Sequence, residues 1–179
     1  MGHRYISIGE HSSIAFDCVI FAGPPVERGA EYLRLDNPAF VFQAGEVVIG
    51  RYVFLSRGCY ILGNGGVSIG DYCCCAEATS ILSMTNHYAS FSDPANKDIY
   101  FTHGCGPEHE CYLLGPIVLD ENVGVASRCI LLPAVTISRD SFLAIGSVAQ
   151  KGIIPPNSIA EGNPARRIKQ RYREKTDES

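Results

Sequence analysis

Histidine and cysteine are the residues of this chain best suited to acid–base, nucleophilic or metal chemistry. The 179 residues include five histidines and eight cysteines, and three of the histidines lie within residues 83–116. Imidazole exchanges a proton near neutral pH and can therefore act as a general base. His87, near the start of that segment, is the candidate for this role.

Two further histidines alternate with cysteines in a paired His-x-Cys pattern. The pairs are His103 with Cys105 and His109 with Cys111. Four ligands of this softness could hold zinc, and Cys105 and Cys111 could instead form a disulfide. The spacing is unusual for a structural zinc site, and we expect no metal here.

Charge is segregated along the sequence. Residues 1–165 hold 9 basic and 16 acidic side chains, whereas residues 166–179 hold 6 basic and 3 acidic ones. A chain of net charge −4 that gathers its cations in one short segment can attract a polyphosphate there, although a solvated basic tail would have the same composition. The net charge disfavours a nucleic-acid partner.

The elements that must position these groups follow a repeat of six. An aliphatic residue recurs at every sixth position, usually before a small residue, and the longest run is Leu119, Val125, Leu131, Ile137, Leu143 and Ala149. This period fits neither a helix nor simple strand alternation, but it fits a short strand plus a turn, three of which close a triangular coil. Such coils pair in parallel about 4.8 Å apart, with their aliphatic positions stacked inside. The register predicts five coils, led by Ile8, Ile49, Ile69, Leu119 and Ile137.

The period is interrupted by two long insertions, residues 23–46 and 83–116, and by two extra residues around Asn64-Gly65-Gly66. Insertions of this length are usually functional loops or interface arms. We expect the coiled domain to cover residues 1–162. Residues 163–179 are expected to form a short helix and basic tail, because Asn163 can cap a helix that Pro164 begins.

The sequence also bears on location. No run of 18 apolar residues predicts a membrane span, and the first residues lack the apolar segment of a signal peptide. The adjacent cysteines at positions 73, 74 and 75 are interpreted as reduced, small wall residues of the coil. We therefore expect a cytoplasmic protein.

The stretch from Gly115 to Lys169, GPIVLDENVGVASRCILLPAVTISRDSFLAIGSVAQKGIIPPNSIAEGNPARRIK, resembles the terminal coils and closing segment of the hexapeptide-repeat acyltransferases. With the N-terminal hexads the resemblance covers most of the chain, leaving 23–46 and 88–114 without a clear counterpart. It implies an all-β fold, a left-handed parallel β-helix of about five coils, assembled as a homotrimer. The most similar branch holds sugar and xenobiotic O-acetyltransferases.

The resemblance also implies the site residues. His87, in Met84-Thr85-Asn86-His87, stands at the place of the family's catalytic histidine. The positions that match the family's coenzyme A groove are Ser127, Ile145, Gln150, Lys151, Arg166 and Lys169. Gly124 departs from the family, which often has tryptophan at that position.

These expectations combine into a function: transfer of an acetyl group from acetyl-CoA to a hydroxyl of a saccharide, with His87 as base and no metal. Two alternatives stay open, an N-acetyltransferase acting on an amino sugar and a non-catalytic β-helical scaffold. A zinc hydratase would need histidines at repeat positions, and only His11 occupies one besides His87.

Overall fold

The computed structural model of the protein describes residues 3–25, 29–102 and 104–173. Within these ranges the chain winds through three parallel sheets, here called A, B and C. Sheet A contains β1 (Ile6–Ile8), β5 (Val47–Ile49), β8 (Val67–Ile69), β13 (Ile117–Leu119), β16 (Val135–Ile137) and β19 (Gly152–Ile154). Sheet B contains β2 (Ser13–Ile14), β6 (Phe54–Leu55), β9 (Cys74–Cys75), β14 (Gly124–Val125), β17 (Phe142–Leu143), β20 (Ser158–Gly162) and β21 (Ala165–Gln170). Sheet C contains β3 (Val19–Phe21), β7 (Tyr60–Leu62), β10 (Ser80–Leu82), β15 (Ile130–Leu131) and β18 (Val148–Ala149).

The chain visits the sheets in the order A, B, C and then returns to A. The structure is therefore a triangular prism with three edges, which we name A–B, B–C and C–A after the sheets they join. Turns at each edge stack on the turns of the neighbouring coils. Any residue between two strands can accordingly be assigned to one edge.

The strand register confirms the repeat of six. In sheet A the paired positions run Ile8, Ile49, Ile69, Leu119, Ile137 and Ile154. In sheet B they run Ile14, Leu55, Cys75, Val125, Leu143 and Ala160. In sheet C they run Ile20, Ile61, Ile81, Leu131 and Ala149. From the second coil onward these ladder residues are almost completely buried, so they form the core.

Small residues after the ladder positions are required by close approach between coils. A Cβ atom added to Gly50 would lie 2.6 Å from an Asp71 carboxylate oxygen and 2.8 Å from the Asp71 backbone nitrogen. At Gly70 the added atom would lie 2.7 Å from the backbone of Asp120. Real side chains do not tolerate such distances, so glycine at these corners lets successive coils stack.

Both long insertions leave the prism at the C–A edge, and there they pair with each other. Segment 23–46 contributes β4 (Glu31–Arg34), and segment 83–116 contributes β11 (Met84–Asn86) and β12 (Cys111–Leu114). Strand β12 pairs antiparallel with β11 and parallel with β4, forming a separate three-stranded sheet that we call the insertion sheet. The 3₁₀ helices of the described ranges are His3–Tyr5 and Pro107–His109.

The expected C-terminal helix is wrong. Residues Ala165–Gln170 form strand β21, which turns back at Asn163-Pro164 and pairs antiparallel with β20. Asn163 and Pro164 favoured a helix locally, but β20 ends sheet B, and an unpaired edge strand leaves its backbone donors and acceptors without partners. Pairing with β21 satisfies them, and Ala165 is buried against the core. The tail beyond residue 173 lies outside the described residues.

The eight cysteines are all unpaired, so Cys105 and Cys111 form no disulfide. Of the adjacent cysteines, Cys73 and Cys75 are buried in the core and Cys74 faces outward, which fits wall residues of the coil. Among the described residues, no helix is long and apolar enough to cross a membrane.

Candidate functional site

His87 follows β11 at the base of the insertion sheet. Its backbone nitrogen donates a hydrogen bond of 2.7 Å to the carbonyl of Cys111, which continues the antiparallel pairing of β11 with β12. The imidazole is partly buried. The insertion sheet therefore fixes the backbone at the point where the imidazole leaves it.

A backbone carbonyl selects the tautomer of His87. Its Nδ1 atom lies 2.8 Å from the carbonyl oxygen of Ala89 and 3.4 Å from the Ala89 backbone nitrogen. Because the oxygen is much closer and can only accept, Nδ1 carries the proton and donates it to the carbonyl. In the neutral ring Nε2 then keeps its lone pair, which is the form that a general base needs.

Two aromatic rings fix the plane of the imidazole. The ring of Tyr88 lies 4.3 Å from the His87 ring centroid and that of Phe91 lies 4.2 Å from it, each inclined by 29°. Tyr88 is 79% exposed, so its ring also borders solvent next to the histidine. An aromatic surface beside a base is suited to hold the apolar face of a bound acceptor.

Glu31, on the other insertion, holds the loop that carries Phe91. Its carboxylate accepts a hydrogen bond of 2.5 Å from the backbone nitrogen of Ser92 and another from the side chain of Ser90. Partial burial raises the pKa of Glu31, but the hydrogen bonds from Ser90 and Ser92 outweigh it and hold that pKa below its usual value. The carboxylate is thus charged at neutral pH and positions the residues on both sides of Phe91.

The Cys111 thiol, on the strand paired with β11, is a poor nucleophile, because burial and the nearby Glu31 carboxylate raise its pKa. In the prism core, at the B–C and A–B edges, burial raises the pKa of Cys59 to about 11 and that of Cys73 to about 12. A thiol reacts as its thiolate, so these side chains stay protonated and unreactive near pH 7. The site thus favours direct attack by an acceptor over an acyl-cysteine intermediate.

The residues matched to the coenzyme A groove fall into two groups. Ser127 and Ile145 stack at the B–C edge, where the Gly146 nitrogen donates to the Ser127 carbonyl over 3.0 Å. Ile145 is 70% exposed, so its apolar side chain can contact a ligand bound at this edge. Gly124 lies next to this edge, and the ring of Phe142 occupies the space that a side chain at position 124 would need.

The second group lies at the C–A edge, at the end of the prism that carries β21. Gln150, Lys151 and Arg166 line one cleft of about 260 Å³ together with Arg167 and Ile153. Lys169 lies further along β21, opposite Ile159, and does not line the cleft. Three cations around one opening suit the phosphates of a nucleotide.

The described members of the paired His-x-Cys pattern, Cys105, His109 and Cys111, do not gather into a ligand cluster. Within residues 3–25, 29–102 and 104–173, no group of three or more His, Cys, Asp or Glu side chains is placed to hold a metal ion. Nδ1 of His109 instead lies 2.9 Å from the carbonyl of Asp98, and Cys111 is buried. His103 lies outside the described residues.

Sequence reasoning missed several residues of the site. Tyr88 and Phe91 could have been found, because the His-Tyr-x-x-Phe spacing puts aromatic side chains beside the candidate base. Arg167 could also have been found, because it is adjacent to Arg166 in the basic segment and has the same charge. Glu31 gave none, because only the pairing of β4 with β12 brings it to the loop.

No family model matches the chain. Galactoside O-acetyltransferase of Escherichia coli strain K12 is 28% identical over 136 residues, which cover 76% of this chain and 60% of that protein. A Schizosaccharomyces pombe protein with the provisional name acetyltransferase C18B11.09c is 42% identical over 134 residues, 74% of this chain and 58% of that protein. The chain therefore spans little more than half the length of these relatives.

Two solved structures share the fold. The N-acyltransferase AntD of Bacillus cereus, in complex with dTDP and 3-hydroxybutyryl-CoA, superposes with a TM-score of 0.69 at 16% identity, covering 94% of this chain and 74% of that one. The hexapeptide-repeat acetyltransferase VCA0836 of Vibrio cholerae, in complex with acetyl-CoA, gives 0.57 at 20% identity, covering 81% and 73%. Together with the register of six and the parallel sheets, these similarities show that the chain has the fold of the hexapeptide-repeat acyltransferases and is homologous to the acetyltransferases that it matches in sequence.

Proposed function

We propose that the protein transfers an acetyl group from acetyl-CoA to a hydroxyl of a saccharide, with His87 as general base. The observation that carries this proposal is the hydrogen bond from Nδ1 of His87 to the carbonyl of Ala89, which leaves Nε2 as the basic nitrogen. The sugar O-acetyltransferase among its relatives supports the reaction class.

In the proposed reaction, Nε2 of His87 removes the proton of the acceptor hydroxyl while its oxygen attacks the thioester carbonyl carbon. A tetrahedral oxyanion forms, and its collapse breaks the carbon–sulfur bond. The departing coenzyme A thiolate then takes the proton from the imidazolium. The proton of the acceptor hydroxyl thus ends on the coenzyme A thiol, and His87 returns to its neutral form. No cysteine or metal takes part in this reaction.

Acetyl-CoA would bind across the C-terminal part of sheet C. Its pantetheine arm would lie against Ser127 and Ile145 at the B–C edge, and its phosphates would meet Lys151 and Arg166 in the cleft at the C–A edge. Strand β18 joins these two groups, so a single extended donor can reach both.

A homotrimer would complete the site. His87 leaves the prism at the C–A edge, whereas Ser127 and Ile145 lie at the B–C edge of the same chain, on the other side of sheet C. When the C–A edge of one copy faces the B–C edge of the next, the base and the thioester end of the donor meet between them. Three such contacts close a ring, and each contains one site.

The test compares His87→Ala with a matched control, His109→Ala, on a panel of saccharides and amino sugars with acetyl-CoA. His109 belongs to the same insertion but lies beside the carbonyl of Asp98. With a hydroxyl acceptor we expect His87→Ala to lower kcat by about 10² or more, because general base catalysis is worth that much. His109→Ala should keep the wild-type rate.

Two outcomes would replace the proposal. If only amino sugars are acetylated and His87→Ala retains the rate, the protein is an N-acetyltransferase, because a neutral amine attacks without a base. If acetyl-CoA neither reacts nor raises the melting temperature, a non-catalytic scaffold is the better conclusion.

A further inference from the structure

The A–B edge carries a stack of aromatic side chains that the proposed acetyl transfer does not use. His11, Tyr52 and Tyr72 occupy the same turn position in three successive coils, each with a positive φ near 60°. The rings of His11 and Tyr52 lie 4.9 Å apart, and those of Tyr52 and Tyr72 lie 5.1 Å apart and only 4° from parallel. Tyr52 and Tyr72 are each about half exposed (48% and 52%).

The stack stops at the fourth position, where Asn122 replaces a ring. The backbone is unchanged there: Asn122 has φ 58° against 61° for Tyr72, and its nitrogen donates to the Asp71 carbonyl as the turn register requires. The short side chain leaves a cleft of about 500 Å³ lined by Tyr72, Glu121, Asn122, Arg139 and Asp140. This volume lies within the range of ligand pockets, roughly 300–1,000 Å³.

The walls of this cleft, which we call the edge slot, combine one ring with fixed polar groups. The side-chain amide of Asn122 donates to Asp140 over 2.8 Å and to the Tyr172 hydroxyl over 3.4 Å, and the backbone carbonyl of Asn122 accepts from the Arg171 guanidinium over 2.9 Å. These contacts hold the amide in place beside the Tyr72 ring. A ligand ring seated on Tyr72 would continue the stack and meet hydrogen-bonding groups at its rim.

The charges of the slot decide between ring-shaped ligands. Glu121 and Asp140 contribute two carboxylates, and Arg139 and Arg171 contribute two guanidinium groups. These charges cancel, so the slot has no net attraction for a nucleotide phosphate, and it keeps acceptors and donors for neutral hydroxyl groups. A pyranose presents an apolar face of C–H bonds to an aromatic ring and hydroxyls around its rim, so it matches both parts of the slot.

We propose that the edge slot is a second binding site, which takes a pyranose ring of a neutral saccharide. It lies at the A–B edge, away from His87 at the C–A edge and from Ser127 at the B–C edge. The homotrimer proposed above uses those two edges and leaves the A–B edge free. The inference does not depend on acetyl transfer, because it rests on the stack, the cleft and its charges.

The test is an NMR titration of the full chain with maltotriose, with ATP as a charged planar control. Maltotriose at tens of millimolar should shift the signals of Tyr72, Asn122 and Asp140, whereas ATP should leave them in place. Asn122→Tyr should abolish these shifts, because a tyrosine there fills the slot. That variant should fold, since Tyr52 and Tyr72 adopt the same φ in equivalent turns.

Tyr72→Ala is the second variant, and it should weaken maltotriose binding at least tenfold while leaving acetyl-CoA binding unchanged. The proposal is overturned if maltotriose leaves the slot signals unshifted, if Asn122→Tyr binds as the wild type does, or if ATP shifts the same signals. Shifts confined to residues around His87 would also overturn it, and they would support the acceptor site of the proposed acetyl transfer instead.

Discussion

The A–B and C–A edges of the same prism are built in opposite ways. At the A–B edge the turns keep one conformation, with positive φ at His11, Tyr52, Tyr72, Asn122, Asp140 and Asn157. The C–A edge instead holds both long insertions, the widened turn at Asn64 and the candidate base. Constant turns let equal positions stack, whereas variable turns give room for loops that carry chemistry.

The core tolerates the irregular edge because the ladders on both sides remain in register. Ile81 pairs with Leu131 on the next coil even though residues 83–116 intervene. Closing a longer loop costs little additional entropy, since that cost grows only with the logarithm of loop length. Insertions can therefore accumulate at one edge without changing the stacked interior.

The largest expected difference is in stability between the two regions. Ile61→Ala removes a completely buried ladder residue and should lower the free energy of unfolding by about 2–5 kcal/mol. Leu33→Ala, in β4 of the insertion sheet, removes a side chain that is 38% exposed and should cost about 1 kcal/mol or less. Urea unfolding of both variants measures the contrast. Equal losses would mean that the insertion sheet is as integral to the fold as the coils.

Arg166 and Lys169 lie on the same strand, β21, but should contribute differently to the binding of acetyl-CoA. Arg166 lines the cleft at the C–A edge and Lys169 does not, so Arg166→Ala should raise the KM for acetyl-CoA about tenfold, the value of one charge-assisted hydrogen bond. Lys169→Ala should raise it less. Neither variant should change the KM for the acceptor. If Lys169→Ala has the larger effect, the phosphates lie along β21 and outside the cleft.

The smallest expected effect concerns Glu31, which links the two insertions. Glu31→Gln should lower stability by about 1 kcal/mol or less at pH 7, since it removes charge from hydrogen bonds to Ser90 and Ser92. The native pKa is lowered, so this contribution is complete above the unfolded pKa of about 4.5 and is lost as the pH falls through the native value. Thermal unfolding of both proteins from pH 7 to pH 3 checks this. A difference that grows toward acid would refute the assignment.

The stacking of the regular coils could be predicted from the sequence. The residues that led the five proposed coils are those paired in sheet A, because the side chain and its stacking position are set locally, but the ladder has a sixth position, Ile154, that the prediction did not include. The place of His87 at the start of the second insertion was also visible. The coil ladder and the position of His87 could be predicted for the same reason: each is fixed by the number of residues that separate it from a hexad that is evident in the sequence.

Local reasoning failed where distant segments meet. Asn163 and Pro164 favour the start of a helix by themselves, yet β21 pairs with β20 because sheet B ends there. The pairing of β4 with β12 left no local signal either, so the contact of Glu31 with Ser92 could not be anticipated.

The sequence by itself determined the stacked interior, because a period of six in aliphatic residues has few other ways to bury its surface. Only the tertiary structure decided which residues of the two insertions and of β21 come together. It placed Glu31 of the first insertion on the loop of Phe91, and it brought Arg166 of β21 to Lys151 in one cleft. The physical reason is that stacking repeats along the chain, whereas a site depends on contacts between residues that no repeat relates.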